Sequence, residues 1–202
     1  MKSLSLTKPH LIALIGVPGS GKTFFAEKFS ETFHAPFINI DTIVSLSNSS
    51  VVASKKIADY QLGELLKTKQ TALLEGLADT RAERAELAKK AQKAGYELLF
   101  VWVQTDSATA KQRATKPSGA KTNTIITPEQ YDRAEKRFIS PAPHETSLVI
   151  SGKHTYATQA KVVLKRLSSP ERKPSESPRK SPIIRAVSQP ITREQRRNIT
   201  IR

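Results

Sequence analysis

The sequence predicts an α/β fold: a five-stranded parallel sheet between two layers of helices, a three-layer α/β/α arrangement. Two observations predict it. Five short apolar runs alternate with stretches of helical periodicity, the pattern of strands joined by crossover helices. The first of those runs is followed by Gly16-Val17-Pro18-Gly19-Ser20-Gly21-Lys22-Thr23, which fits G-x-x-x-x-G-K-[ST] at every fixed position, a loop that belongs between a strand and a helix. The chain has 202 residues, enough for one such domain with a remainder.

Residues 11–15 carry no polar side chain and read as a strand buried on both faces. Residues 24–33 follow as a helix with Phe25, Ala26, Phe29 and Phe33 on one face. The second strand, residues 37–40, ends at Asp41, and a helix over 51–66 has Ile57, Tyr60, Leu62, Leu65 and Leu66 as its apolar members. The third strand, 71–74, runs into Glu75 and Gly76. An Ala-rich helix over 81–94 is closed by Gly95, because glycine takes the left-handed terminal conformation without steric cost. Residues 97–103, around Trp102, form the fourth strand, and a short helix over 107–115 leads into a polar loop over 116–127. Thr127-Pro128-Glu129-Gln130 opens the next helix with Thr as cap, Pro first and Gln third. The fifth strand is 147–150, and a helix over 156–167 with Ala157, Ala160, Leu164 and Leu167 on one stripe closes the domain.

The pattern breaks after Leu167. Residues 168–182 are Pro, Ser and charge with no apolar period, a composition that cannot bury enough surface to offset the entropy of ordering it. The organisation expected is therefore a domain over 1–167 and a disordered basic tail over 168–202, with a short helix after Thr192 capped by Thr192 and Gln195. The formal charge is +15; the tail holds nine Lys or Arg against three acidic residues, and residues 1–167 hold 24 against 15. Such a balance points to a polyanion such as nucleic acid, or an acidic protein partner, docking on the tail, with plain solubility as the alternative. Ser-Pro pairs begin at Ser169, Ser177 and Ser181, candidate phosphorylation sites or simple linker. Without cysteine there is no disulfide and no thiolate metal site, and the four histidines lack ligand spacing. No run approaches the ~18 apolar residues of a membrane span. The apolar N-terminal stretch runs straight into the phosphate loop, so it reads as strand and not signal, and a cytoplasmic protein with no membrane contact is expected.

The loop sets the chemistry. Glycines let backbone N–H groups converge on an anion at the positive end of a helix, Lys22 reaches the β and γ phosphates, and the Thr23 hydroxyl ligates Mg²⁺. The candidate nucleotide-binding residues are Gly16, Pro18, Gly19, Ser20, Gly21, Lys22, Thr23 and Phe24. Ligands of open α/β sheets bind beyond the carboxyl ends of the strands, which is where Asp41 and Glu75 fall. Glu75 is the candidate second Mg²⁺ group, or an ordinary strand-end carboxylate. Asp41 is the candidate base for an attacking hydroxyl, or a cap for a helix beginning at Thr42. Arg113, at the mouth of a basic loop with Lys116, Pro117, Gly119 and Lys121, is the candidate charge clamp on the transferred phosphoryl group, or a solvated surface cation.

Taken together, these features resemble a known family. They are the glycine loop, Asp41, Leu73-Leu74-Glu75-Gly76, Thr80-Arg81-Ala82-Glu83-Arg84, the Ala108 to Arg113 segment, Tyr131 to Phe138, and Pro141 and Glu145. In that order they resemble the P-loop kinases of the polynucleotide kinase and zeta-toxin group, AAA-type ATP-binding kinases, over about residues 10–165. The resemblance implies a P-loop NTPase sheet in the order 2-3-1-4-5, ATP with Mg²⁺ as phosphoryl donor, Asp41 as base, Arg113 as lid arginine, and Arg81 or Arg84 near the acceptor. In polynucleotide kinases an Arg follows the strand-two Asp and holds the acceptor phosphate. Here Asp41-Thr42-Ile43-Val44-Ser45 offers none, and Lys55 and Lys56 stand in only as point charges. Three functions remain: a kinase acting on a polynucleotide or small nucleotide-like hydroxyl, an NTP-hydrolysing nucleic-acid-associated module, and a zeta-type toxin kinase acting on a nucleotide sugar. Gln104-Thr105-Asp106 after strand four is no guanine signature, which favours adenine.

Overall fold

The computed structural model describes residues 6–116, 125–145 and 147–168. In order the elements are β1 (His10–Ile15), α1 (Lys22–Phe33), β2 (Phe37–Asn39), α2 (Ile40–Ser47), α3 (Val51–Lys67), β3 (Ala72–Glu75), α4 (Arg81–Lys93), β4 (Glu97–Gln104), α5 (Ser107–Thr115), α6 (Pro128–Arg137), β5 (Ser147–Ser151) and α7 (Tyr156–Leu167). The strands make one parallel sheet in the order β2-β3-β1-β4-β5, as the resemblance implies.

The central strand explains the layering. All six residues of β1 are buried, and successive side chains leave opposite faces of the sheet. Leu11, Ala13 and Ile15 join the core formed with Ala58, Leu62 and Leu66 of α3 and Leu87 and Ala91 of α4. Ile12 and Leu14 join the other core, with Phe25, Ala26 and Phe29 of α1 and Val163 and Leu167 of α7. Each large side chain so buried contributes about 1.5–3 kcal/mol. On the α1 side the aromatic rings pack in series as tilted pairs, with centroids 5.6 Å apart for Phe25 and Phe29 and 4.6 Å for Phe29 and Phe33.

Three expectations need correction. Ile40 does not continue β2; it is the first residue of α2, because the Asn39 side chain accepts from the Thr42 amide at 3.0 Å and turns the chain into a helix. The inward stripe of α3 is Ser54, Ala58, Leu62 and Leu66, while Ile57 and Tyr60 are 38% and 71% exposed. Small residues on that stripe let α3 lie close to β2 and α2. On α7 the buried stripe is Gln159, Ala160, Val163 and Leu167, and Ala157 is exposed. The tail with its Ser-Pro pairs and expected helix, and Pro117, Gly119 and Lys121 of the polar loop, lie outside the described residues. Among the described residues no helix is long and apolar enough to cross a membrane.

Candidate active site

All five strands end on one edge, and the loop between β1 and α1 sits at its centre. Gly16 and Gly19 hold positive φ, 144° and 73°. A side chain at Gly19 would collide with the Ala110 carbonyl oxygen of α5, so only glycine lets the loop lie this close to that helix. The Ser20 amide closes the loop on the Val17 carbonyl at 3.2 Å. The helix that follows is capped by Gly21 with no side-chain bond, whereas every other helix among the described residues starts on an Asn, Ser, Thr or Asp that accepts from its first turn. Its first-turn amides therefore keep their partial positive charge for an anion. The Ser20 hydroxyl is buried with no partner. Orphan amides and an orphan hydroxyl around one loop fit a phosphate group.

Lys22, Thr23 and Glu75 converge beside this loop. The Lys22 ammonium folds over it, donating to the carbonyls of Gly16 at 3.0 Å and Val17 at 3.1 Å, and lies 3.6 Å from Glu75 Oε1. The Thr23 hydroxyl meets both Glu75 oxygens, at 2.9 and 3.1 Å, and Asn39 Nδ2 donates to Oε2 at 3.1 Å. Glu75 is only 6% exposed. Burial pushes its carboxyl above the ordinary value against the pull of Lys22 and the Thr23 hydroxyl, and the charges of Asp41 and Asp79 add to the rise. A hydroxyl and a carboxylate in contact are the hard oxygen donors that Mg²⁺ takes together with phosphate oxygens and water, so the pair fits that ion. Among the described residues there is no cluster of three or more His, Cys, Asp or Glu that would hold a metal without phosphate.

Asp41 stands exposed in the first turn of α2. The cap of that helix is Asn39 and not Asp41. Asp79, between β3 and α4, is a further carboxylate, and Glu75 feels its charge. Burial raises its pKa, Lys22, Lys55 and Arg137 oppose the rise, and Glu83 adds to it.

The arginines divide. Arg113, exposed on α5, donates to the Gly152 carbonyl at 3.0 Å, and Gly152 in turn lies against the Ser20 backbone, where a Cβ would collide with the Ser20 carbonyl oxygen. Arg113 is thus one residue removed from the phosphate loop. Arg84 is engaged in the interior. Its side chain is 0% exposed and its guanidinium meets Glu145 at 2.6 and 3.2 Å and the carbonyls of Ile139 at 2.9 Å, Ala78 and Ser140 at 3.4 Å and Asp79 at 3.5 Å. Lys55 is engaged by Glu83. Arg81 and Lys56 are exposed.

A family model described as an AAA domain matches residues 11–141, from β1 past the end of α6. The chain belongs to the AAA domain family. The match does not single out the polynucleotide kinase and zeta-toxin group that the motifs resemble. A comparison with curated protein sequences finds no match. Among solved structures, this AAA domain is similar to a gluconokinase from Sinorhizobium meliloti, at 19% identity over 79% of this chain and 94% of that one, with a TM-score of 0.59. It is also similar to Chaetomium thermophilum Kti12 in complex with ADP-AlF3, at 18% identity over 79% and 100% with a TM-score of 0.60. A third is the Mycobacterium tuberculosis APS kinase CysC in complex with AMPPNP and APS, at 17% identity over 80% and 99% with a TM-score of 0.57. At these identities the likeness is one of fold.

Two residues of this AAA domain escape a reading of the sequence. Asn39 lies inside the apolar run Phe37-Ile38-Asn39-Ile40, and the available signal was a capping amide three residues before Thr42. Asp79 precedes Thr80, whose capping box with Glu83 opens α4 and was there to be seen in Thr-x-x-Glu.

Proposed function

We propose that this protein is an ATP-dependent kinase that uses Mg²⁺ to transfer the γ-phosphoryl group to a hydroxyl. The observation that supports it most is the convergence of Lys22, Thr23 and Glu75 beside the glycine loop, with Asp41 on the neighbouring helix start. In this reading the loop amides, the Ser20 hydroxyl and Lys22 hold the phosphates, with Gly16, Pro18, Gly19, Gly21 and Phe24 contributing backbone. Thr23 and Glu75 hold Mg²⁺, which when bound offsets charge on the β and γ phosphate oxygens. Lys22 leaves the loop carbonyls for phosphate oxygen. Asp41 accepts the proton of the acceptor hydroxyl as its oxygen bonds to phosphorus and the bond to ADP breaks. Arg113 exchanges the Gly152 carbonyl for the charge of the transferred group.

The acceptor is a polynucleotide or a small nucleotide-like molecule. Arg84 and Lys55 are already committed to Glu145 and Glu83, which removes two cations that a chain of acceptor phosphates would need and favours the small acceptor. The tail over 168–202 is proposed to bind a polyanion and the protein to work in the cytoplasm. ADP release measured against 5'-hydroxyl oligonucleotides, nucleosides, sugars and nucleotide sugars tests the assignment. Acceptor-dependent ADP with one class supports the kinase and names its substrate; a nucleotide sugar would group it with zeta-type toxins. Hydrolysis indifferent to every acceptor and stimulated by nucleic acid would replace the kinase with an NTP-driven binding module.

A further inference from the structure

We propose that Asn39 is a positioning residue, whose single side-chain amide sets the Glu75 carboxylate and the start of the Asp41 helix in one fixed relation. Asn39 and Glu75 are the last register partners of β2 and β3, so both side chains leave the same face at the same edge of the sheet. The carboxamide is engaged at both ends: Nδ2 donates to Glu75 Oε2 at 3.1 Å and Oδ1 accepts from the Thr42 amide at 3.0 Å. Those partners fix its orientation, because a carboxylate only accepts and an N–H only donates. Asn39 is 6% exposed, so water does not substitute freely for either bond.

The residue type follows from the double task. A helix start alone is served as well by Ser or Asp, and Thr is not far behind. A Ser or Thr hydroxyl can accept and donate, but only from one oxygen on a short side chain, whereas Asn39 turns a separate acceptor to the Thr42 amide and a separate donor to Glu75; Asp would set a second carboxylate against Glu75. The amide is therefore selected by the site and not by the helix. Through it, Asp41 two residues on and the Thr23–Glu75 pair are tied to one side chain, although Asn39 itself reaches no substrate. Phosphoryl transfer depends mainly on such positioning. The inference rests on the reading of Glu75 as a Mg²⁺ group and Asp41 as the base.

Asn39→Ser keeps a cap and loses the bond to Glu75; Asn39→Ala loses both. Calorimetric titration of Mg²⁺ into protein loaded with a non-hydrolysable ATP analogue should show about 10–100-fold weaker binding in both variants, the loss typical of removing a partner behind a metal ligand. Affinity for the analogue without Mg²⁺ should stay unchanged. Hydrogen exchange over residues 40–47 should stay slow in Asn39→Ser and quicken in Asn39→Ala, and kcat should fall further in Asn39→Ala with no further loss of Mg²⁺ affinity. Full Mg²⁺ affinity in Asn39→Ser would overturn the proposal and leave Asn39 a helix cap, with the kinase reading intact. A wild-type protein that binds the analogue but no Mg²⁺ would overturn both. If Asn39→Ala does not fold, Asn39→Ser carries the test.

Discussion

Lys22 rests on the Gly16 and Val17 carbonyls and close to Glu75, so its ammonium does two jobs: it satisfies loop oxygens and offsets a buried carboxylate. Lys22→Ala should lower turnover by about 10²–10³-fold, the range for removing one preorganised donor, and weaken ATP binding as well. Steady-state ADP release together with nucleotide titration checks both parts. Arg84 makes a different point. Its guanidinium is fully buried against Glu145, so Glu145→Gln should destabilise the fold by roughly 3–5 kcal/mol by stranding the cation, read as a lower urea midpoint. Burial pushes the Glu145 carboxyl up, but hydrogen bonds from Arg84 and the Ala142 amide and the charge of Arg84 outweigh it and leave its pKa lowered. A lowered folded pKa means this stabilisation is complete above the unfolded value, about 4.3, and is lost as pH falls through the folded one. The acid limb of the wild-type melting curve should therefore be steeper than that of Glu145→Gln.

The elements around the loop act as buttresses. Gly19 touches α5, Val17 packs with Ala110, Ala114 and Tyr131 of the α5 and α6 pair, and Gly152 between β5 and α7 abuts Ser20. Gly152→Ala should push the loop out of place and lower kcat/KM by about 10²-fold, the effect typical of a misplacement near 1 Å, and should lower the melting temperature as well, because the added Cβ meets the Ser20 backbone. Thr80→Ala, which breaks the capping box of α4, should lower stability by about 1 kcal/mol in urea denaturation and leave activity unchanged. Much at this scale is legible in the chain itself. The glycine loop is readable because its function lies in backbone geometry, which only glycine permits, and the five strands because parallel strands are continuously apolar. The inward face of α3 is not, since Ser54 and Ala58 face inward for closeness and not for hydrophobicity, while Tyr60 faces out. Helix α2 is hidden for a related reason: its cap sits inside an apolar run, where polarity looks like an interruption of a strand. The commitment of Arg84 to Glu145, 61 residues away, depends on a tertiary interaction that no local pattern carries.

At the scale of the molecule, a parallel sheet gathers loops from distant parts of the chain at one edge, so Lys22 and Thr23, Asn39 and Glu75 meet although they come from three separate stretches of the chain. The whole chain is basic, with nine Lys or Arg against three acidic residues in 168–202 and 24 against 15 before it. If the tail contributes to polyanion binding as proposed, deleting 169–202 should flatten the dependence of nucleic-acid affinity on salt, by about 0.9 in the log–log slope for each duplex phosphate no longer neutralised, and leave the melting temperature of the domain intact. The central claim is narrower: the site moves a phosphoryl group to a hydroxyl with Asp41 as base. Its most direct test is transfer of label from γ-labelled ATP to the acceptor that the substrate panel identifies, compared between the wild type and Asp41→Asn at matched ATP occupancy. The account predicts labelled acceptor from the wild type and a rate about 10²–10⁴-fold lower from Asp41→Asn with ATP affinity unchanged. Full-rate transfer by Asp41→Asn, or label appearing only as free phosphate in the wild type, would contradict it.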